Sequence, residues 1–248
     1  MRFGVVTDAH ANLPALAAAL VALDAEQCDF VVHTGDAIGI GPHPAECLDL
    51  LLNRGVELVM GNHDSYFAFG LADWPYSEGE LAHQRWVHEQ LDPSLRAIVA
   101  AWPWEITREV EGRIVLFTHY GRRRDASSAP ADHDTTVAEL DSRWAPPGRN
   151  TTIADLDSMF SERRADIVFF GHDHQPLDGV GSRRYVNPGS LGCNGVPEAR
   201  AAVAELHLGA IQIRHLAVEY DDSSVFEDLE AREVPDRALI RRLFLSRA

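Results

Sequence analysis

Three short apolar runs, each ending in a polar turn and each separated from the next by a helical stretch, constrain this chain most. They are "RFGVVTD" from Arg2, "CDFVVHTGD" from Cys28 and "VELVMGNHD" from Val56. Each is nearly continuous in apolar residues. That suits strands covered on both faces, because a strand with one wet face alternates. Between the first two lies "LPALAAALVAL", with Asn12 placed to cap a helix and Pro14 in its first turn. Between the second and third lies "PAECLDLLLNRG", a helix ended by Gly55. The β-α-β-α-β order predicts a parallel sheet covered by helices.

Further along, Ser65 to about Trp104 reads as mainly helical, with "ELAHQRWVHEQL" its clearest piece. "RIVLFTHY" is another strand. Residues 121–150, rich in Arg, Asp, Ala, Pro and Gly, read as a long loop or lid. A helix near Ile153–Arg163 leads into "DIVFFGHDH". The runs "RRYVNPGS", "ARAAVAELHL" and "AIQIRHLAVEY" predict antiparallel strands, which makes mixed sheets the expectation. The tail from about Ser223 reads as two helices separated near Pro235. No internal repeat or boundary interrupts 1–248, so a single domain is expected. Periodicity alone suggests one sheet.

The net charge of −16 repels polyanions, which argues against general nucleic-acid binding. All 22 basic residues are arginine, which excludes a Schiff-base or P-loop lysine. Cys28, Cys47 and Cys193 are scattered without metal-type spacing, the pattern of reduced thiols in a cytoplasmic protein. "LPALAAALVAL" is too short to span a bilayer, and "TDAHAN" before it is unlike a signal peptide. No membrane association is expected.

Five apolar runs end in similar chemistry. They give "TDAH" (Asp8, His10), "TGDAIG" (Asp36), "GNHD" (Asn62, His63, Asp64), "THY" (His119) and "GHDH" (His172, His174). Carboxyl ends of parallel strands face the binding crevice of open α/β sheets, so residues distant in sequence can converge there. Glycines 35, 61 and 171 would let the backbone turn just before the polar side chain. A lone strand-end histidine is usually a surface or hydrogen-bonded one, and His33, His43, His83, His88, His133, His207 and His215 are assigned that role. Chance assembly of all five motifs in this order is very improbable.

In these motifs the chain resembles the calcineurin-like metallophosphoesterases. "GDAIGIGPHPAE" and "VNPGS" are further similar to their compact bacterial and archaeal phosphodiesterase-like branch. The resemblance implies an α/β (α+β) fold, a β-sandwich of two mixed sheets flanked by helices. It implies two metal ions, the first held by Asp8, His10, Asp36 and His174, the second by Asp36, Asn62, His119 and His172. The two histidines of "GHDH" would then serve different metals, which requires a bend between them. His63 would donate a proton to the leaving oxygen, and Asp64 would orient its imidazole. Asp64 as a helix or turn cap is the alternative.

Two divalent ions roughly 3.5–4 Å apart can share a hydroxide for in-line attack and clamp phosphoryl oxygens. With two carboxylates in the set, the local charge comes to about +1, which attracts an anionic ester even in an acidic protein. An N/O set without thiolate suits Mn, Fe, Zn, Co or Ni. The expected substrate is a small phosphodiester or phosphomonoester, with nucleotide-derived esters among the candidates. Tyr120 and Arg122 follow the fourth motif, where relatives often carry a small turn. Tyr120 would narrow the pocket, and Arg122–Arg124 would bind a second phosphate or sit on a solvated loop. The aromatic residues Tyr66, Phe67, Phe69, Trp74, Tyr76, Trp86, Trp102 and Trp104 suit helix packing or a homo-oligomer contact better than base stacking. A non-catalytic interaction module on the same fold is the second reading, and a nuclease the third, disfavoured by the charge.

Overall fold

The computed structural model describes residues 1–70, 77–122, 144–145 and 151–245. Strands β1 (Arg2–Val6), β2 (Phe30–His33) and β3 (Glu57–Leu58) run parallel, in register Phe3↔Phe30 and Val32↔Glu57. A hairpin of β11 (Glu198–His207) and β12 (Ala210–Glu219) joins the other side of β1 in antiparallel sense, giving the order β12-β11-β1-β2-β3. The second sheet holds β4 (Glu105–Val110), β5 (Arg113–Thr118), β8 (Ile167–Phe169), β10 (Arg184–Asn187) and β9 (Leu177–Val180), in that spatial order. Its three central strands are parallel and its edge strands antiparallel.

Two mixed sheets therefore replace the one suggested by periodicity. Phe3 and Val5 of β1 meet Phe117, Phe169 and Val186 of the second sheet in a core between the sheets. Phe3 packs on Phe30 at 4.9 Å and on Phe117 and Phe169 at 5.6 Å. On the outer face of the second sheet, Leu116, Val168 and Tyr185 turn towards Leu156 and Phe160. An apolar run buried on both faces fits helix-on-sheet and sheet-on-sheet packing equally. Periodicity could not distinguish the two.

Helices cover the outer face of the first sheet. In α1 (Leu13–Ala25), Asn12 Oδ1 accepts from the Ala15 N–H at 3.1 Å, as expected of a cap. Leu16, Leu20 and Leu23 of α1 pack with Leu48 and Leu51 of α2 (Pro44–Asn53). The helical stretch resolves into α3 (Asn62–Phe69), α4 (Glu78–Gln90) and α5 (Leu95–Ala100). Phe67, Trp86 and Trp102 lie in that core, whereas Trp74 and Tyr76 fall outside the described residues. Near the carboxyl terminus, helices Ser223–Ala231 and Arg237–Ile240 flank Pro235, and the second continues as a π turn, Arg241–Leu245.

Within 121–150 the described part is a short hairpin, Gly121–Arg122 against Trp144–Ala145. The remainder of the expected lid lies outside the described residues, as does the side chain of Arg122. No described helix is long and apolar enough to cross a membrane.

Candidate metal centre

Beyond β1 and β2 the two following loops continue side by side. Asp8 N donates to Gly35 O, His10 N to Asp36 O and Ala11 N to Ala37 O, each at 3.0 Å. The second sheet closes on them. Gly171 N donates to His119 O at 3.1 Å, and the His172 N–H to Asp8 Oδ2 at 3.0 Å. The five polar strand ends thus share one edge of the sandwich.

The backbone there is strained. Asp8, His10, Asp36, His172 and His174 all have φ between +47° and +77°. A non-glycine residue in this region costs on the order of 1–2 kcal/mol. Such conformations persist where surrounding contacts over-determine them, typically at functional sites. In "GHDH" the left-handed turns at His172 and His174 supply the bend expected between the two imidazoles.

The glycines act by two mechanisms. Gly35, with φ of +102°, makes the sharp turn expected of it. Gly61 and Gly171 have ordinary backbones, and what they supply is space. A Cβ at Gly61 would lie 2.2 Å from Asp36 N, and one at Gly171 2.1 Å from Thr7 Oγ1.

Asp8, His10, Asp36 and His119 are almost fully buried. His10 Nε2 and His174 Nε2 are 3.0 Å apart, and each is 3.5 Å from Asp8 Oδ1. Asp36 Oδ2 lies 3.2 Å from His119 Nε2 and 3.8 Å from His10 Nε2, between the two halves of the cluster. Its other oxygen accepts from the His63 N–H at 2.8 Å. His172 Nδ1 and Asn62 Oδ1 are 3.1 Å apart. Thr34 O accepts from His119 Nδ1 at 2.8 Å, which fixes the tautomer and turns Nε2 inward.

Two of these atoms, Asp8 Oδ1 and His119 Nε2, lack a hydrogen-bond partner among the described residues. Buried polar atoms are normally paired, so converging unpaired acceptors fit a divalent cation. Two groups of donor atoms, Asp36–His119–His172 and His10–Asp36–His63, each lie within 4.8 Å of one another and could hold one.

Proton affinities report the same concentration of negative charge. Burial opposes ionisation of Asp36, yet His119 and His63 outweigh it and hold the carboxyl far below its usual range. Burial likewise disfavours charge on His119, but Asp36 and Asp8 hold its imidazole up at about 9. A cation would take the place of that proton. Burial dominates at His63 and brings it down to about 3, Asp36 compensating only in part. At His172, burial and neighbouring His119 bring it to about 4.

Of the two roles open to Asp64, its contacts are those of the cap at the start of α3 and not a bond to His63. Its Oδ2 accepts from Asp36 N at 2.8 Å and Gly61 N at 3.0 Å, and its Oδ1 from Ala37 N at 3.0 Å and Ile38 N at 3.3 Å. A carboxylate saturated by four N–H donors clamps the "GDAIG" loop to the start of α3. His63 Nδ1 is left without a partner among the described residues, against Gly39, where a Cβ would lie 2.5 Å from it.

Tyr120 is buried, its ring 4.9 Å from His119 and 5.1 Å from His172. It packs against both rings. Of the default histidines, His33, His43 and His83 are hydrogen-bonded inside the fold, His207 and His215 are exposed on the β11–β12 hairpin, and His133 lies outside the described residues. His33 Nδ1 accepts from Gly35 N, His83 Nε2 from Ile40 N, and His43 pairs with Asp228.

Sequence reasoning missed the turn after β10. Asn187 Nδ2 donates to Asp173 Oδ1 at 2.6 Å and to Gly171 O at 3.3 Å, bracing the "GHDH" turn. The Ser190 hydroxyl donates to Asp8 O at 2.8 Å. The "VNPGS" motif was the available signal, but its partners are distant in sequence.

A cavity of about 360 Å³ opens beside the cluster. It is lined by Asn62 and His63, by Ile40, Tyr66, His83 and Gln84, by the apolar Leu239, Ile240, Leu243 and Phe244, and by Glu80 and Asp236.

A family model described as the calcineurin-like phosphoesterase superfamily domain matches residues 1–208. An uncharacterized protein of Methanocaldococcus jannaschii is 26% identical, covering 98% of this chain and 97% of its own. The crystal structure of a hypothetical protein from Pyrococcus horikoshii superposes with a TM-score of 0.77 at 17% identity, covering 100% of this chain and 99% of that one. A metallophosphoesterase from Sphaerobacter thermophilus gives 0.69 at 24% identity, covering 98% and 97%.

Proposed function

The chain belongs to the calcineurin-like phosphoesterase superfamily, and on that footing we propose that it hydrolyses a small phosphate ester at a dinuclear metal site. The observation that carries this reading is the position of Asp36 Oδ2, 3.8 Å from His10 Nε2 and 3.2 Å from His119 Nε2, in a buried donor set in which Asp8 Oδ1 and His119 Nε2 have no hydrogen-bond partner among the described residues. Asp8, His10, Asp36 and His174 would hold one cation, and Asp36, Asn62, His119 and His172 the other. Bound there, two divalent cations supply Lewis acidity towards phosphoryl oxygens and acidify water for attack in line with the leaving group.

The protein's own residues do the rest. Asp64 fixes the loop that aims Asp36, Thr34 O sets the His119 tautomer, and Tyr120 braces two imidazoles. His63 lines the cavity and is the proposed proton donor to the leaving oxygen. Negative charge on an ester lying against it would favour its imidazolium.

The lining of the cavity beside His63 supports a reading of what leaves. Leu239, Ile240, Leu243 and Phe244 make part of it apolar, and two carboxylates stand in it. An uncharged aromatic or apolar alcohol fits this lining, whereas a further phosphate would meet Glu80 and Asp236. A small diester or monoester with such a leaving group is therefore the proposed substrate class.

The test is turnover of p-nitrophenyl phosphate and bis-p-nitrophenyl phosphate by metal-stripped protein, restoring Mn²⁺, Ni²⁺, Co²⁺, Zn²⁺ or Mg²⁺ singly. Metal-dependent turnover lost in Asp36→Asn is expected, with His63→Ala lowering it by about 10²–10⁴-fold. Bound metal without turnover on either ester would favour an interaction module instead.

A further inference from the structure

The three cysteines are scattered in sequence, but one of them lies at the metal cluster. The turn Asn187–Cys193 is pinned against the loop after β1 at three points. Leu191 N donates to Thr7 O at 3.0 Å, Gly192 N to Asp8 O at 3.2 Å, and the Ser190 hydroxyl to Asp8 O at 2.8 Å. The approach is so close that a Cβ at Gly192 would lie 2.4 Å from Ala9 O. Ser190 Oγ in turn accepts from Cys193 N at 2.8 Å. This chain of contacts leaves little freedom in where Cys193 sits.

Its Sγ forms a third group of potential metal donors with His10 and His174, all three ligand atoms within 4.8 Å of one another. A second observation marks the same place. Asp8 Oδ1 is fully buried, has no hydrogen-bond partner among the described residues, and lies 3.5 Å from both imidazole nitrogens. Two imidazoles, a thiol and an unpaired carboxylate oxygen thus lie close together.

The bland alternative is that Cys193 is a small apolar filler, since its thiol also packs in the helix-side core. Cys47 plays that part, fully buried within α2. Cys193 differs in facing two imidazoles.

We propose that Cys193 is an additional ligand of the cation held by Asp8, His10 and His174, and that it biases this position towards thiophilic ions such as Zn²⁺, Co²⁺ or Fe²⁺ over Mg²⁺ and Mn²⁺. The inference rests on the dinuclear-site reading above. On binding, the thiol proton is released to solvent and a sulfur–metal bond forms. Soft thiolate selects soft and borderline cations, whereas oxygen donors suit hard ones. The second position, built from Asn62, His119, His172 and Asp36, has no sulfur among the described residues. The two positions would then differ in metal preference.

The experiment uses the full chain, stripped and loaded with Co²⁺, as wild type, Cys193→Ser, Cys193→Ala and Cys28→Ser. A thiolate-to-cobalt charge-transfer band in the near ultraviolet is expected in wild type and Cys28→Ser and absent from both Cys193 variants. Chelator competition should show Zn²⁺ affinity falling about 10–100-fold in those variants, with Mn²⁺ affinity little changed. Should both variants fail to fold, X-ray absorption of Zn²⁺-loaded wild type carries the test, with a sulfur shell expected at about 2.3 Å. Bound Co²⁺ without the band, a band that survives loss of Cys193, or a zinc shell of nitrogen and oxygen alone overturns the proposal while leaving the dinuclear reading intact. A wild-type protein that binds no Co²⁺ sinks both.

Discussion

Replacing Asp64 with asparagine separates two accounts of this residue. In the structure its two oxygens each accept two backbone N–H groups, from Asp36 and Gly61 at one and from Ala37 and Ile38 at the other. Asparagine keeps one oxygen. Whichever way the amide turns, its NH₂ faces two buried donors that lose their acceptor. An unsatisfied buried group costs about 1–3 kcal/mol, so two cost about 2–6 kcal/mol. Part of this is offset. Burial and the neighbouring Asp36 charge push the Asp64 carboxyl up to about 7, so neutralising it relieves repulsion. A net loss of about 2–4 kcal/mol follows, which lowers Tm by roughly 2–4 °C per kcal/mol in a chain of this size. Since the same bonds aim Asp36, metal affinity should fall about 10–100-fold. Differential scanning calorimetry of metal-free protein reads the first effect, and competition with a chelator the second. If Asp64 instead oriented His63, stability would hold and only the pH profile of turnover would move. An Asp64→Asn protein that melts within about 1 °C of wild type would refute the clamp.

Two further outcomes follow from the cavity and its floor. Burial drives His83 down to about 4. With its folded pKa below the unfolded value near 6.5, its contribution to stability is present above that value and lost as pH falls through 4. It amounts to about 3 kcal/mol across that window, and His83→Gln should flatten the acid limb in urea titrations; an unchanged slope would contradict the assignment. Leu243, on the cavity wall, is 53% exposed. If the leaving group packs there, Leu243→Ala should raise KM for bis-p-nitrophenyl phosphate about fivefold, the equivalent of about 1 kcal/mol of lost apolar contact, with kcat nearly unchanged; equal KM values would place the leaving group elsewhere.

Much of the site was legible because each candidate ligand ends an apolar run, and the carboxyl ends of parallel strands share an edge. That rule brings Asp8, Asp36 and Asn62 together from local pattern alone. His119 and His172 lie on a second sheet, and periodicity could not assign β5 and β8 to it, since strands buried on both faces look alike in either architecture. Asp64 was left between orienting His63 and capping a turn, because the N–H groups of 36–38 and 61 that it binds are backbone and leave no trace in side-chain spacing. Asn187, Ser190 and Cys193 were missed for a related reason. Their contacts with residues 7–9 and 171–173 depend on how a turn after β10 meets the loop after β1, a juxtaposition set by tertiary packing. The cavity wall at 239–244 depends on a tail that follows the family-matched segment.

The central claim is that these strand ends form two cation positions sharing Asp36. Native mass spectrometry of stripped, full-length protein titrated with Mn²⁺ or Zn²⁺ measures this directly. Two ions per chain are expected at saturation in wild type, with loss of the pair in an Asp36→Asn variant that keeps its circular dichroism spectrum. Saturation at one ion, or two ions retained without Asp36, would contradict it.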